Sequence, residues 1–224
     1  MLELETPSIE EVAKRIAEAT GGFTGGPVER FGEVGQQTLK ALKRAGLSRQ
    51  SYVLDVGCGA LRLGYWLIRY LQPDRYCGLE PVPKYVEAGL QHAIGPELAA
   101  IKRPRFDHNS QFDFSSFGVK FDFVVARSIF SHASPEMIGR VLDSFRDNSS
   151  DDATLLVSYN RLLSTERGKR IVDVKKHGEW SWRRYGKPYL QDLAKERGLR
   201  AGHFGKPFSG QVWLHVTKRR SLSD

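Results

Sequence analysis

The chain has 224 residues and a formal net charge of +8, with 34 Lys and Arg against 26 Asp and Glu. This length suits one α/β domain with an added segment, and no apolar run approaches the length of a membrane span. Two cysteines, Cys58 and Cys77, are too few for a disulfide framework or a Cys-based zinc site. Residues 1–6 have neither the basic nor the apolar region of a signal peptide. We therefore expect a cytoplasmic protein without a membrane partner or a bound metal.

The positive charge is concentrated in two segments. Residues 161–184 hold eight Lys or Arg against three acids, a local net charge of +5, and Lys218, Arg219 and Arg220 form a basic tail. The rest of the chain is close to neutral. Any surface that attracts anions is therefore expected in these two segments.

Two helices are predicted before the first strand. Ser8 and Glu11 have the spacing of a capping box, which predicts a helix that starts there and ends at Gly21. A second helix is predicted to end at Gly46. The positions expected to face the core are Val12, Ile16 and Ala19 in the first helix and Phe31, Val34, Leu39 and Leu42 in the second.

Strands and helices then alternate along the chain. Short apolar runs predict strands at 52–56, 76–80, 121–126 and 153–158. Helical spacing follows each of the first three strands, and Ser134 before Pro135 marks the start of the third of these helices. Such an alternation requires parallel βαβ units with right-handed crossovers.

The C-terminal part breaks this rhythm. After a helix around Leu190, strands at 200–203 and 211–217 are too close in sequence for a crossover helix and are expected to pair antiparallel. The predicted fold is therefore α/β, a doubly wound, mostly parallel sheet with an antiparallel C-terminal strand, helices on both faces and an N-terminal helical extension. We expect a single domain over 1–224, divided into N-terminal helices (1–48), a cofactor-binding half (50–160), a basic lid (161–186) and a C-terminal helix and hairpin (187–224).

A glycine-rich turn follows the first strand at Gly57, Cys58 and Gly59. Such a turn lets a ligand approach the backbone at the carboxyl edge of the sheet. The dinucleotide fingerprint would place a third glycine at position 62, which is Arg62, and no Gly-Lys-Ser/Thr follows for a phosphate loop. Asp55 would also lie beside any pyrophosphate there and repel it. A ligand with an ammonium group fits Asp55 better.

A second acidic residue, Glu80, ends the second strand about twenty residues beyond the turn. At this spacing a carboxylate accepts hydrogen bonds from ribose hydroxyls. An adenosine joined to an amino acid would satisfy both Asp55 and Glu80, whereas a nicotinamide dinucleotide would satisfy Glu80 alone.

Taken together, residues 53–59, Glu80 and 121–132 resemble the ordered motifs of class I, Rossmann-like S-adenosylmethionine-dependent methyltransferases, over most of residues 50–217. Residues 57–64 are similar to the subgroup whose turn reads Gly-Cys-Gly-x-Leu-Arg-x-Gly. One departure is Leu61, which stands where many members have a third glycine.

The resemblance implies S-adenosyl-L-methionine as the cofactor. Asp55 and the turn would face its methionine part, Glu80 would bind its ribose, residues 109–113 would border its adenine, and Ala126 and Arg127 would lie beneath the methionine. The full set of cofactor-binding residues expected on this basis is Asp55, Gly57, Cys58, Gly59, Arg62, Glu80, Pro81, Ser110, Phe112, Ala126 and Arg127.

The methyl acceptor is expected beyond the fourth and fifth strands. His132 is a candidate general base for a hydroxyl acceptor, unless its ring simply bonds the loop backbone. Tyr159, a second catalytic candidate, and Asn160 either contact the acceptor or cap their strand. In the basic lid, Trp180, Trp182 and Arg183 would bind an aromatic or anionic acceptor, or else pack the lid onto the sheet.

These observations predict a methyltransferase that acts on an O or N atom of a small molecule. The basic segments keep an RNA or DNA methyltransferase as an alternative, although residues 126–130 lack the motif of enzymes that methylate nucleobase amines. A protein that binds S-adenosylmethionine without catalysis is a third possibility. The sequence leaves the acceptor and the oligomeric state open.

Overall fold

The computed structural model describes residues 8–22, 28–177, 180–208 and 210–218, without the side chains of 175–177, 180 and 181. Two helices come first, α1 (Ile9–Thr20) and α2 (Phe31–Arg44), with a 3-10 turn at Val28–Arg30 between them. The capping box is confirmed, since the Glu11 amide donates to Ser8 Oγ at 3.2 Å and the Ser8 amide donates to Glu11 Oε2 at 2.9 Å.

The predicted core positions of both helices are buried, with one exception. Ala19 is exposed, and the prediction that it faces the core was wrong. Its neighbour Thr20 is buried instead, because the Thr20 hydroxyl donates to the Ile16 carbonyl at 2.8 Å and so needs no water.

A parallel sheet forms the centre of the molecule. The parallel strands are β1 (Val53–Val56), β2 (Tyr76–Leu79), β3 (Arg105–Asp107), β4 (Phe121–Ala126) and β5 (Ser149–Arg161), in the spatial order β3-β2-β1-β4-β5. The crossover helices are α3 (Gly64–Tyr70), α4 (Pro83–Gly89), α5 (Pro96–Lys102) and α6 (Pro135–Asn148), with a π-helical turn at Leu90–Ile94 between α4 and α5. The predicted βαβ alternation is confirmed, and α5 and β3 are additional elements.

Two antiparallel pairs extend the sheet beyond β5. The first is a hairpin of β6 (Ile171–His177) and β7 (Trp180–Tyr185), which precedes α7 (Lys187–Lys195). The second is formed by β8 (Leu199–Phe208) and β9 (Gln211–Lys218), the antiparallel C-terminal strands predicted from the sequence. Residues 154–159 of β5 pair with β9, whereas Asn160 and Arg161 pair with β7, so the sheet forks at the carboxyl end of β5.

The core lies on both faces of the sheet. Alternate residues of β1 show this, since Leu54 and Val56 pack with α6 and α7 while Val53 packs with α2 and α3. Helix α1 packs outside the layer formed by α2 and α3, where Val12 and Ile16 contact Phe31 and Ala60. Because both faces are covered, the strands read as continuous apolar runs, and a charged side chain within β1 stands out.

Candidate active site

The glycine-rich turn after β1 has the conformation its glycines allow. Gly57 has a φ of +68° and Gly59 a φ of +51°. A Cβ on Gly57 would lie 2.2 Å from Ile129 Cδ1, whereas a Cβ on Gly59 would meet nothing within 4 Å. Gly57 is therefore required by packing, and the backbone at Gly59 faces open space where a ligand can approach it.

Asp55 is the charged side chain within β1, and it is 3% exposed. The Tyr76 hydroxyl donates to its Oδ2 at 3.0 Å. Burial raises the pKa of Asp55 to about 7; the Tyr76 hydrogen bond opposes this shift and the charge of Glu80 adds to it. A cation placed against Asp55 would restore its charged form.

Glu80 follows β2 and reaches back to the turn. Its Oε2 accepts from the Gly59 amide and its Oε1 from the Val82 amide, both at 3.1 Å. Burial raises the pKa of Glu80, while these two amide bonds lower it. The predicted pair of carboxylates is thus brought together around one turn, with Asp55 below it and Glu80 beside it.

The loop at 107–113 lies next to Glu80. The Glu80 amide donates to the Asp107 carbonyl at 3.1 Å, and His108 Nδ1 lies 2.6 Å from the Glu80 carbonyl oxygen. The Asn109 side chain donates to Asp107 Oδ1 at 2.5 Å and to the Asp113 carbonyl at 2.9 Å, which closes the loop. Ser110 and Pro81 are exposed. Phe112, two residues after Ser110, is partly buried and has a φ of +58°.

Two further residues of the turn are buried. Cys58 is 5% exposed, and burial raises the pKa of its thiol, which suits packing and disfavours thiolate chemistry. Leu61 is fully buried with a φ of +61°. The position where related chains carry glycine thus keeps the left-handed backbone, and the leucine side chain fills a core space beside Gly64 and Gly89.

Two arginines complete the predicted cofactor set. Arg62 precedes α3, and Arg127 follows the buried Ala126 at the end of β4. Burial lowers the pKa of each guanidinium to about 10, and the charge of Arg127 contributes to the shift at Arg62. The two side chains, 65 residues apart in sequence, are therefore electrostatic neighbours.

His132 lies in the loop between β4 and α6, against the hairpin of β6 and β7. Its ring meets the Trp182 ring edge to face, with centroids 5.0 Å apart. Trp182 is 48% exposed. We call these two rings, which meet at an exposed tryptophan, the aromatic corner. Trp180 lies where side chains are outside the described part of the structure.

Arg183 attaches the hairpin to this loop. Its amide donates to the Ser131 carbonyl at 2.8 Å, its Nη1 donates to the His132 carbonyl at 2.7 Å, and its Nε lies 2.9 Å from Asp173 Oδ1. Both of its forks are therefore engaged within the protein. The guanidinium therefore holds the hairpin in place.

Tyr159 and Asn160 are placed differently from each other. Tyr159 is 2% exposed and belongs to the core, where burial raises the pKa of its phenol. Asn160 is partly buried, and its side-chain amide donates to the Arg183 carbonyl at 3.3 Å. Neither arrangement provides a base, since a phenol with a raised pKa keeps its proton at neutral pH.

A buried polar network next to the aromatic corner had no signal in the sequence. Gln211 Oε1 accepts from Ser158 Oγ at 2.7 Å and from Ser128 Oγ at 3.1 Å, and Ser158 Oγ accepts from the Ser128 amide at 2.7 Å. Ser128 has a φ of +62°. The network joins the ends of β4, β5 and β9, so residues distant in sequence shape the loop that carries His132.

Tyr185 provides a test of how the hairpin is attached. Its fully buried hydroxyl donates to the Ala133 carbonyl at 2.5 Å. Tyr185→Phe is expected to lower the free energy of unfolding by about 1–2 kcal/mol, because a buried carbonyl loses its donor. Denaturant unfolding measures this. Tyr189→Phe, which alters the ring stacked on Tyr185, is the matched control and should be near neutral; equal losses in both variants would contradict the role of the bond.

Within the described residues, no helix is long and apolar enough to cross a membrane. The same residues contain no group of three or more His, Cys, Asp or Glu side chains arranged to hold a metal ion.

Comparisons with known proteins agree with this geometry. Residues 54–155 match a family model described as a methyltransferase domain. A search of curated protein sequences finds no match.

Several solved structures share the fold. Magnesium protoporphyrin IX methyltransferase from Synechocystis PCC 6803, with bound S-adenosylhomocysteine, superposes with a TM-score of 0.60 at 18% identity, over 92% of this chain and 93% of that one. The glycopeptide N-methyltransferase MtfA with S-adenosylmethionine gives 0.62 at 13% identity, over 83% and 94%. DesVI from Streptomyces venezuelae gives 0.62 at 14%, over 91% and 98%.

The residues matched by the family model include β1, the glycine-rich turn, Glu80 and β4, and the sheet order is that of a doubly wound fold. Residues 54–155 therefore resemble a methyltransferase domain, and the chain has the doubly wound, Rossmann-like α/β fold.

Proposed function

We propose that this chain binds S-adenosyl-L-methionine and transfers its methyl group to an O or N atom of a small-molecule acceptor. We also assign it to the subgroup with the Gly-Cys-Gly-x-Leu-Arg-x-Gly turn. The observation that carries the proposal is the placement of Asp55 and Glu80 on either side of one glycine-rich turn, with Glu80 Oε2 accepting from the Gly59 amide at 3.1 Å.

The charges around the turn select the donor. A pyrophosphate in the open space at Gly59 would lie close to two carboxylates, which already repel each other enough for Glu80 to raise the pKa of Asp55. An ammonium group would instead be attracted to Asp55, and ribose hydroxyls would donate to Glu80. S-adenosylmethionine has both groups.

The remaining cofactor residues follow from this orientation. With the ribose at Glu80, the adenine lies toward the 107–113 loop, where Ser110 and Phe112 border it together with Pro81. The methionine part then lies over Asp55, Gly57 and Cys58, toward Ala126 and the two arginines at 62 and 127. This direction places the methyl group near the end of β4 and the loop that follows it.

The acceptor is assigned to the aromatic corner of His132 and Trp182. Trp182 offers an exposed flat surface, and the His132 ring stands against it at a centroid distance of 5.0 Å. Neutral imidazole can take a proton from a hydroxyl or amine as it attacks the methyl group. Asn160, which bonds the strand carrying Trp182, keeps the corner in position; Tyr159 supports it from the core.

A nucleic-acid acceptor is the second candidate, because residues 161–184 carry a net charge of +5. Two of their cations are already neutralised within the protein, Arg183 by Asp173 at 2.9 Å and Arg184 by Glu166 at 3.0 Å. By their names, two of the similar structures act on magnesium protoporphyrin IX and on a glycopeptide. Both considerations favour a small molecule.

The direct test uses labelled donor. Calorimetry with S-adenosylmethionine, S-adenosylhomocysteine and NAD should show binding of the first two; binding of NAD alone would refute the proposal. The chain is then incubated with methyl-labelled donor and either a metabolite extract or total RNA and DNA. Label in a small molecule supports the proposal, label only in nucleic acid replaces the acceptor class, and label in neither fraction supports a non-catalytic binding protein.

His132 and Trp182 provide the site-directed test. His132→Ala should lower kcat by about 10²-fold or more where the acceptor must lose a proton, whereas Trp182→Ala should mainly raise the acceptor KM. The His132 bond from Arg183 uses the backbone carbonyl, so the hairpin stays attached in His132→Ala. His203→Ala, an exposed histidine on β8, is the control and should leave both constants unchanged. Unchanged constants in all three variants would place the acceptor elsewhere.

A further inference from the structure

Three arginines from separate parts of the chain meet on one group of aromatic rings. Arg30 ends the 3-10 turn before α2, Arg62 precedes α3, and Arg127 follows β4. The Arg30 and Arg127 guanidinium carbons lie 5.5 Å and 5.7 Å from the centroid of the Phe208 ring. Arg127 also lies 5.5 Å from the Trp213 ring, and Arg62 lies 5.8 Å from the Phe31 ring. We call Arg30, Arg62 and Arg127 the arginine cluster.

The arginine cluster brings three like charges together, and two of them, Arg62 and Arg127, are largely buried. Burial lowers the pKa of Arg62 and Arg127, and the charge of Arg30 lowers both further. Arg30 pairs with Glu33 at 2.9 Å, and both of these side chains are exposed to solvent. Burial and the charge of Arg30 lower the pKa of Arg127, and no carboxylate of the described residues raises it.

Arg127 is the centre of the argument. Its Nε and Nη1 are buried and have no hydrogen-bond acceptor among the described residues. Buried donors of a charged group that lack acceptors destabilise a protein, and native structures normally satisfy them. Phe208 and Trp213 stabilise the cation through their ring faces. These contacts do not replace hydrogen-bond acceptors for the N–H groups. The fork is therefore open to an acceptor that the described residues do not supply.

The position of the cluster indicates where that acceptor comes from. Arg62 lies three residues beyond Gly59, and Arg127 follows the strand that pairs directly with β1, with Asp55 opposite Val125. The cluster thus borders the methionine end of the donor site described above. On its other side are β8 and β9. Phe208 of β8 pairs with Gln211 of β9, which belongs to the polar network that shapes the loop carrying His132.

We propose that the arginine cluster binds an oxyanion, a carboxylate or a phosphate, of a molecule held in the active site, with the Arg127 fork as its main ligand. The inference rests on the proposed function only for the identity of that molecule. A planar guanidinium fork matches the two oxygens of such a group, and the neighbouring arginines supply charge. The oxyanion is the carboxylate of the donor's methionine part, opposite in charge to the ammonium at Asp55, or an acidic group on the acceptor.

The effect of inorganic phosphate on the stability of Arg127→Gln tests whether the cluster binds an oxyanion. Millimolar phosphate, compared with chloride at equal ionic strength, should raise the melting temperature of the wild-type protein and have a smaller effect on Arg127→Gln. Arg127→Lys, which keeps the charge but loses the fork, should give an intermediate effect. Arg75→Gln is the matched control, since Arg75 also lies over a ring, Tyr52 at 4.0 Å, but precedes β2 at the opposite edge of the sheet. An equal phosphate effect in all four proteins would overturn the proposal.

Calorimetry with two ligands distinguishes the sources. S-adenosylhomocysteine carries the carboxylate, and its decarboxylated analogue keeps the ammonium but lacks it. If the donor supplies the oxyanion, wild type prefers the first by on the order of tenfold or more, and Arg127→Gln loses that preference. If the acceptor supplies it, Arg127→Gln keeps the preference of the wild type and its acceptor KM rises by a similar factor.

The two proposals fail in different ways. Wild-type protein that binds neither ligand would refute the proposed donor, while the phosphate comparison would still test the cluster. Arg127→Gln that matches wild type in phosphate response, ligand preference and acceptor KM would show that the arginine cluster only packs against its rings. Denaturant unfolding of each variant confirms that the protein tested is folded.

Discussion

Asp55→Asn is expected to weaken the binding of S-adenosylhomocysteine by about ten- to a hundredfold without destabilising the free protein. The loss follows because a buried carboxylate that meets an ammonium group contributes about 1.5–3 kcal/mol, which the neutral amide cannot replace. The Tyr76 hydroxyl, now 3.0 Å from Asp55 Oδ2, can still donate to the amide oxygen of the variant. Calorimetry measures the affinity, and denaturant unfolding measures the stability.

The pH dependence of stability and of ligand affinity, compared between the wild type and Asp55→Asn, provides the control. The pKa of Asp55 is raised from 3.8 to about 7 in the folded protein, so this carboxyl destabilises the fold as pH rises from about 4 to 7. The full effect is about 4 kcal/mol above pH 7, and Asp55→Asn should lack it. Ligand affinity of the wild type should in turn fall about tenfold from pH 8 to pH 6, as Asp55 takes up its proton. A variant that binds like the wild type at both pH values would show that Asp55 does not contact the ligand.

Gly35→Ala in α2 is expected to destabilise the protein by at least about 2 kcal/mol. A Cβ at this position would lie 2.4 Å from the Arg62 carbonyl oxygen and 2.6 Å from Trp66 Cδ1, where α2 crosses the start of α3. Since the first obstacle is backbone, the helices must move apart. The same movement displaces Arg62 beside the glycine-rich turn, so ligand affinity should fall as well.

Gly32→Ala, one turn earlier in the same helix, is the matched control. Its Cβ would meet only side-chain atoms of Ile9, the nearest at 3.1 Å, which a small rotation can relieve. Because alanine favours a helix over glycine by about 1 kcal/mol, this variant should be neutral or slightly stabilised. Equal losses of unfolding free energy in the two variants would contradict the close approach of α2 to α3.

The basic lid shows that a net charge does not tell which cations face solvent. Its net charge of +5 predicts an anion-binding surface, and within it Arg183 and Arg184 are paired with Asp173 and Glu166. Arg62 and Arg127, which are largely buried and lie close to each other, come from segments with little net charge. A local charge count detects cations that are close in sequence, whereas only the fold decides which cations converge in a buried place.

Local chemistry determined what could be predicted without coordinates. The capping box at Ser8, the strand from Val53 to Val56 and the turn at Gly57 each depend on residues a few positions apart, whose periodicity and backbone preferences are visible in sequence. The positions of Asp55 and Glu80 at the turn could be predicted in the same way, since a strand end places a side chain at a known edge of a parallel sheet.

Tertiary structure alone decided the rest. Tyr159 and Asn160 are adjacent in sequence, but β9 pairs with Tyr159 and β7 with Asn160. This pairing buries the phenol and places the amide against the Arg183 carbonyl. The Gln211 network and the arginine cluster likewise join residues separated by 30 or more positions. Such contacts form only when the sheet assembles. They could not be predicted from the sequence, because no local pattern indicates which distant segment will cover a strand end.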